Sequence, residues 1–255
     1  MHSSSAGLEH LLFPGLVESP VVLTNAKGVY SHSLAEYSLT CCSWFAKDFP
    51  RLLAAKADRR WDPYDVEELR GKTMGVVGYG DIGQAAARLA RAFRMRVVAL
   101  RRRAELSEAE QAEGVLSAVY RPDQLGDLMA ASDYVVVATP WTPETDKIIS
   151  RAAIAAMKPS GVLVNVGRGK CVDEEALIEA LSEGRIRGAA LDVFATEPLP
   201  ADSPLWGLPN VLLSPHCADR TKEFQFESLE RFVENAKLYV EGKELIAVCD
   251  KRSGY

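Results

Sequence analysis

The run Gly78-Tyr79-Gly80-Asp81-Ile82-Gly83 has the G-x-G-x-x-G spacing that holds a dinucleotide pyrophosphate. Gly78 permits a tight turn, and Gly80 lets a phosphate approach the backbone. Gly83 lets a helix lie close to the preceding strand. The run follows the apolar segment Thr73–Gly78 and opens a helix-period stretch over Gln84–Phe93. That context separates a binding turn from a chance match, because a helix N-terminus supplies free amides and partial positive charge to phosphates. Tyr79, Asp81 and Ile82 complete the turn and are cofactor contacts by position. About 20 residues further on, an NAD site ends its second strand in an acid that takes the ribose 2′-hydroxyl. Here the strand Arg96–Leu100 runs into Arg101-Arg102-Arg103. Arg101, with Arg102 second, suits a 2′-phosphate clamp. A charged hydrogen bond is worth about 1.5–3 kcal/mol. The expectation is NADP(H) over NAD(H) by roughly tenfold to over a hundredfold.

Three later strand ends carry reactive polar groups. Gly161–Val166 ends in Gly167-Arg168-Gly169, Gly188–Val193 leads to Glu197, and Val211–Ser214 ends in Pro215-His216. Ligands of open α/β sheets bind at such ends. Alone, an arginine is usually a surface charge and a histidine a hydrogen-bonded loop residue. Beside a dinucleotide site they form an anion clamp, an acid–base group and its carboxylate partner, the set needed to reduce a 2-oxo acid.

Positioning these groups requires alternating strands and helices. Tyr134–Thr139 supplies a further strand, and helices fit Gln124–Ala131, Ser150–Met157 and Asp173–Glu183. Short Val-rich runs between helices predict a doubly wound α/β fold with a parallel sheet covered on both faces. Upstream, Ser33-Leu34-Ala35-Glu36 reads as a capping box opening a helix to about Ala57, bent at Pro50. Pro20–Thr24 reads as one more strand. Glu223–Glu241 reads as a long helix with an apolar face of Phe226, Leu229, Val233, Ala236 and Val240. Leu245–Tyr255 reads as a short extended tail. The expected division is a substrate-lobe remnant at 1–45, a dinucleotide domain at 46–220, and a C-terminal helix and tail at 221–255.

Composition limits the alternatives. The 30 basic and 35 acidic residues leave a net charge of -5, with no basic field for nucleic acid. No stretch approaches the roughly 20 apolar residues of a membrane span. The five cysteines form no C-x-x-C pair, which favours reduced thiols over a metal site. The start lacks signal-peptide and transit-peptide character, so the expected location is cytoplasmic, or an organelle should a transit segment precede Met1.

The run from Gly75 to Thr221 resembles the D-isomer-specific 2-hydroxyacid dehydrogenases. The resemblance rests on Ala138-Thr139-Pro140-x-Thr142-x-Glu144-Thr145, Asn165-Val166-Gly167-Arg168-Gly169, Val172-Asp173-Glu174, Leu191-Asp192-Val193-Phe194, Glu197-Pro198-Leu199-Pro200 and Ser214-Pro215-His216. The arginines after the second strand make it most similar to the glyoxylate/hydroxypyruvate reductase branch. The resemblance implies that Arg168 binds substrate carboxylate and that His216 protonates the forming alkoxide. Glu197 then orients His216. It also implies cofactor contacts at Thr139, Pro140, Val166, Gly167, Arg168, Asp192 and His216, with Asp192 receiving the nicotinamide carboxamide. Trp141 stands where the family carries a smaller apolar residue and so bears on substrate size.

In the family the substrate lobe is split around the dinucleotide domain, and its first part has no counterpart here. The segment from His2 to Glu9 is similar to the family loop whose amides hold the substrate carboxylate, with Ser5, Ala6 and Gly7 at the matching positions. That loop, tethered on one side, is expected to be mobile. The implied partners are a small 2-oxo or 2-hydroxy acid and a second copy in a homodimer, joined through the helix near Ser33–Ala57. Two further readings stand beside a reductase. One is an NAD(P)-binding module without turnover, acting as a corepressor-like sensor. The other is a regulatory fragment that caps a longer homologue.

Overall fold

The computed structural model describes residues 1–103 and 105–254. Its strands are β1 (His2–Ser3), β2 (Thr24–Asn25), β3 (Thr73–Val77), β4 (Arg96–Leu100), β5 (Ala118–Tyr120), β6 (Tyr134–Val137), β7 (Val162–Asn165), β8 (Gly188–Leu191) and β9 (Val211–Leu213). Its α-helices are α1 (Pro14–Glu18), α2 (Ser31–Ala46), α3 (Phe49–Ala57), α4 (Asp81–Ala92), α5 (Glu108–Glu113), α6 (Leu125–Ala131), α7 (Arg151–Ala155), α8 (Glu174–Ser182) and α9 (Phe224–Val240). The main sheet has seven strands in the order β5-β4-β3-β6-β7-β8-β9. Every pair in it is parallel.

This is the expected doubly wound α/β sheet. Its central strands β3, β6, β7 and β8 are buried along their whole length, which is why they read as unbroken apolar runs, while the edge strands β5 and β9 are half-buried. Met74, Val76, Val97, Tyr134, Val136 and Val164 face a layer holding Leu39, Cys42 and Phe45 of α2 and Ala87 and Ala90 of α4. The alternate residues Val98, Val135, Val137 and Leu163 face Leu128 of α6, Ile154 of α7 and Leu177 of α8. Small residues let α2 and α4 approach closely through Ala35, Ala85 and Ala86. Chain order reverses between β3 and β6, which opens a crevice at their C-terminal ends.

Several local expectations give way to tertiary contacts. Ser33 caps nothing: Tyr30 holds the N-cap of α2 without a side-chain bond. The Ser33 hydroxyl instead donates to the carbonyl of Ala218 at 2.6 Å. The long helix does not bend at Pro50 but breaks before it. Asp48 adopts φ 49° and caps α3, with Pro50 in the first turn, where its missing N–H costs nothing. Pro20–Thr24 is not a strand. Val21 and Val22 are exposed, and only Thr24–Asn25 pairs, parallel to His2–Ser3. The tail contributes one antiparallel bridge, Val248 to Thr24, and otherwise turns; Tyr255 lies outside the described residues.

The apolar stripe of α9 does not enter a core. Phe226 is 71 % exposed and Val240 85 %, while the buried residues of α9 are Ser228 and Asn235. The helix is tied by polar groups. Ser228 donates to the Ser4 carbonyl at 3.3 Å, and Asn235 exchanges two bonds with Ile246. Sequence reading missed β5 and α5, a short edge strand and a one-turn-scale helix with no apolar stripe. Among the described residues no helix is long and apolar enough to cross a membrane.

Candidate active site

The glycine turn sits at the mouth of the crevice. Gly78 has φ +98°, and an added Cβ would lie 2.9 Å from the Thr139 nitrogen. At Gly83 a Cβ would fall 2.1 Å from the Gly78 carbonyl oxygen, so the helix and turn require glycine there. At Gly80 a Cβ would meet nothing within 4 Å. Its face is open space directly before the N-terminus of α4, whose first amides have no intrahelical acceptor. Across the crevice the Thr139 hydroxyl is buried with no hydrogen-bond partner, a deficit that a ligand polar group would remove. These features fit a bound dinucleotide. Val166 and Gly167 lie beside Thr139: a Cβ on Gly167 would stand 2.7 Å from the Thr139 carbonyl. Tyr79 is nearly buried and its ring lies 5.8 Å from the Arg101 guanidinium. Asp81 and Ile82 begin α4.

Arg101 and Arg102 follow β4 as expected, but Arg101 is already engaged. Its Nη1 donates to Glu110 of α5 at 2.8 Å. The missing acid of the second strand thus arrives from a helix nine residues later, which strand-end spacing does not reveal.

The candidate residues Arg168, Glu197 and His216 follow β7, β8 and β9 in turn. Arg168 follows β7 in a turn held by Asn165, whose Oδ1 accepts from Gly167 N at 3.1 Å and whose Nδ2 donates to the Arg168 carbonyl at 3.1 Å. The Arg168 Nε donates to Glu9 at 2.7 Å and Nη1 to the Gly167 carbonyl at 2.8 Å. Gly7 lies directly on the guanidinium: a Cβ there would stand 1.6 Å from Nη2. The Ser5-Ala6-Gly7 loop and Arg168 therefore face one another. Glu9 was not singled out in sequence, although it stands two residues beyond Gly7. The loop is held on more than one side. Ser4 accepts bonds from Tyr30 and Ser228, and the Ala6 carbonyl accepts from Asn25 at 2.8 Å.

His216 and Glu197 are paired. The His216 Nδ1 lies 2.7 Å from Glu197 Oε2, and Glu197 Oε1 accepts from Phe194 N at 3.0 Å. The carboxylate is thereby fixed on its own loop, and the imidazole Nε2 is left for another partner. His216 has φ 49°, uncommon for a non-glycine residue. Its backbone is held there by a 2.8 Å bond to the Asp192 carbonyl.

Asp192 is the buried hub of this loop. Its Oδ1 accepts from Ser214 Oγ at 2.6 Å, Cys217 N at 3.0 Å and Ala218 N at 3.2 Å. Ser214 therefore spends its proton on Asp192, so the Tyr37 hydroxyl, 2.6 Å from Ser214, is the donor in that contact. Burial pushes the Tyr37 hydroxyl well above its usual range, which keeps it a donor. Ser33 completes the hold through Ala218. Thus α2 supplies two hydroxyls that fix the histidine loop, a role the helix pattern conceals. Burial also raises the Asp219 carboxyl, against a lowering influence from His216. Trp141 is committed at its rim: Nε1 donates to Asp146 at 2.8 Å, and Lys170 stands 4.5 Å over the ring.

The order-reversal crevice, the glycine turn and the open face of Gly80 define a doubly wound dinucleotide-binding protein. Residues 41–218 match the D-isomer specific 2-hydroxyacid dehydrogenase, NAD binding domain. The chain is 38% identical over 233 residues to a glyoxylate reductase of Pyrococcus furiosus, covering 89% of this chain and 66% of that one. It is 37% identical over 224 residues to a D-3-phosphoglycerate dehydrogenase of Methanocaldococcus jannaschii, covering 87% and 42%. A solved D-isomer specific 2-hydroxyacid dehydrogenase from Xanthobacter autotrophicus Py2, in complex with NADPH and MES, superposes with TM-score 0.88 at 32% identity, covering 100% of this chain and 78% of that one. An NADPH-dependent glyoxylate/hydroxypyruvate reductase of Sinorhizobium meliloti, in complex with NADP and sulfate, gives TM-score 0.88 at 28% identity, covering 100% and 79%. The chain belongs to the D-isomer specific 2-hydroxyacid dehydrogenase family. It spans between 42% and 66% of the length of these two curated relatives.

Proposed function

We propose that this protein reduces a small 2-oxo acid of the glyoxylate or hydroxypyruvate type to the D-2-hydroxy acid, using NADPH in preference to NADH. The observation that supports the reading is that Arg168 and the His216–Glu197 pair follow the neighbouring strands β7, β8 and β9 at the same sheet edge, with Asp219 in electrostatic range of both Arg168 and His216. The bound nicotinamide supplies a hydride to the 2-oxo carbon. Arg168 presents a planar cationic fork to the substrate carboxylate and polarises the adjacent carbonyl. The amides of Ala6 and Gly7 take the other carboxylate oxygen, and that of Ser5, which donates to Ser3 Oγ at 3.2 Å, joins them by exchanging that bond. His216 Nε2 donates a proton to the carbonyl oxygen as the carbon gains its hydride, giving the neutral hydroxyl. Glu197 holds Nδ1 and so aims Nε2. A proton donor so placed contributes roughly 10²–10⁴-fold.

The cofactor contacts are Gly78–Gly83, Arg101, Arg102, Thr139, Pro140, Val166, Gly167 and Asp192. Reading Asp192 as a carboxamide acceptor as well requires it to keep a lone pair beyond its three donors from the histidine loop. The homodimer belongs to the same proposal, and it uses α3 and residues 61–66 in place of the whole Ser33–Ala57 stretch, since α2 is committed to the core. Leu52 and Leu53 are exposed there and Trp61 is 95 % exposed.

A second reading has its own support. Glu9 puts a carboxylate on the group that would bind one, which suits a nucleotide-binding module without turnover. NADPH oxidation by this chain with hydroxypyruvate, beside an NADH control, decides between them. Turnover favouring NADPH supports the reductase. NADPH binding without turnover supports the module. Turnover with 3-phosphohydroxypyruvate instead would move the substrate towards that of the phosphoglycerate dehydrogenase relatives.

A further inference from the structure

The end of β4 carries no acid, yet a carboxylate reaches the same place from α5. Arg101 Nη1 and Glu110 Oε1 are 2.8 Å apart, with side chains only 17% and 14% exposed. The position of Glu110 is built. Its Oε2 accepts from Ser107 N at 2.8 Å, and its own N–H donates to Ser107 Oγ at 3.2 Å, a complete capping box. One turn on, Glu113 clamps α5 to the dinucleotide helix through two bonds from Arg88, at 3.1 and 3.0 Å. The Ser107 amide first, and Arg101 after it, hold the Glu110 carboxyl below its usual range. An ionised acid therefore occupies one arm of the arginine fork, beside the ring of Tyr79 in the glycine turn.

We propose that Glu110 limits the preference for NADPH: it accepts the ribose 2′-hydroxyl of NADH and competes with the 2′-phosphate of NADPH for Arg101. The inference rests on the reading of Arg101 as the 2′-phosphate group's partner. Two anions cannot share one arm of the fork without repulsion, so NADPH binding displaces Glu110 or leaves its carboxylate facing a phosphate. A ribose hydroxyl brings a donor instead, and the carboxylate receives it.

Glu110→Gln tests this cleanly, because glutamine also completes a capping box and removes only the charge. Dissociation constants for NADPH and NADH are read from nucleotide fluorescence on the folded protein, with its melting temperature recorded. The expected result is NADPH binding tighter by about tenfold, one charged bond's worth, and NADH binding weaker. In an Arg101→Met background the gain for NADPH should shrink, because only the repulsion of the phosphate, and no competition for Arg101, is then relieved. NADPH binding that weakens, or equal changes for both nucleotides, would overturn the proposal and make Glu110 a support for the loop. Failure of the underlying reading has a different signature. There, Arg101→Met alone would weaken NADPH and NADH equally, whatever residue stands at 110.

Discussion

Replacing Asp192 with asparagine should loosen the histidine loop and lower stability together. The carboxylate accepts from Ser214 Oγ, Cys217 N and Ala218 N, and the residue is 1% exposed. Bonds to a charged acceptor are worth about 1.5–3 kcal/mol and neutral ones about 1 kcal/mol. Asparagine keeps one acceptor oxygen, so each of the three bonds falls towards the neutral value. Its new NH₂ also stands where Oδ2 now receives Ala218 N at 3.3 Å, which sets donor against donor. Allowing for repacking, the loss is about 3–4 kcal/mol in all. For a chain of this size 1 kcal/mol moves the melting temperature by roughly 2–4 °C, so the expected drop is roughly 6–16 °C.

Thermal unfolding followed by circular dichroism reads the first effect, and NADPH oxidation at a temperature where both proteins are folded reads the second. Activity should fall because His216 takes its backbone position from the Asp192 carbonyl and the loop beyond it from the carboxylate. A melting point within about 2 °C of the parent would show that the carboxylate does not hold this loop, and would refute the reasoning.

Three further outcomes are expected. His216→Ala should lower reduction by roughly 10²–10⁴-fold and leave the Kd for NADPH unchanged; unaltered turnover would place the proton donor elsewhere. Gly7→Ala should raise KM for the 2-oxo acid with little change in NADPH affinity, since its Cβ would stand 1.6 Å from Arg168 Nη2; steady-state kinetics with an unchanged KM would show that Arg168 moves aside without consequence. Burial raises the Asp219 carboxyl, so the native state holds a proton that the unfolded chain releases, and stability falls as pH rises through that window. Asp219→Asn should therefore be more stable than the parent at pH 7, with the gain fading below about pH 3.9. A gain that persisted or grew at low pH in melting curves would reverse the sign.

The parallel sheet was legible because burial on both faces writes itself into sequence as Val-rich runs between helix-period segments. Each strand end then points to the residue that follows it, which is how Gly78, Arg101, Arg168 and His216 were found. What escaped was set by contacts between distant segments. Ser33 satisfies every local rule for a cap, yet a carbonyl 185 positions away claims its hydroxyl. The stripe on α9 has the period of a buried face, but period reports only that apolar residues align, not that anything covers them. Glu110 was hidden for the opposite reason. Its capping box is local and readable, whereas its second bond, to Arg101, depends on how α5 folds back over β4.

The site also shows why its residues sit on loops while its rigidity comes from elsewhere. Arg168, Glu197 and His216 all lie beyond the ends of strands, where side chains can reach a ligand but no ladder fixes the backbone. Each is secured by a polar group from an ordered neighbour. Asn165 at the end of β7 holds the turn of Arg168, Phe194 N holds Glu197, and Asp192 just past β8 holds the loop of His216. Tyr37 and Ser33 of α2 extend that hold from the helical layer to β9. A substitution in α2 can thus disturb the histidine without touching substrate or nucleotide. Its effect would appear in kcat before it appeared in the Kd for NADPH, because the glycine turn and Thr139 are held by separate contacts.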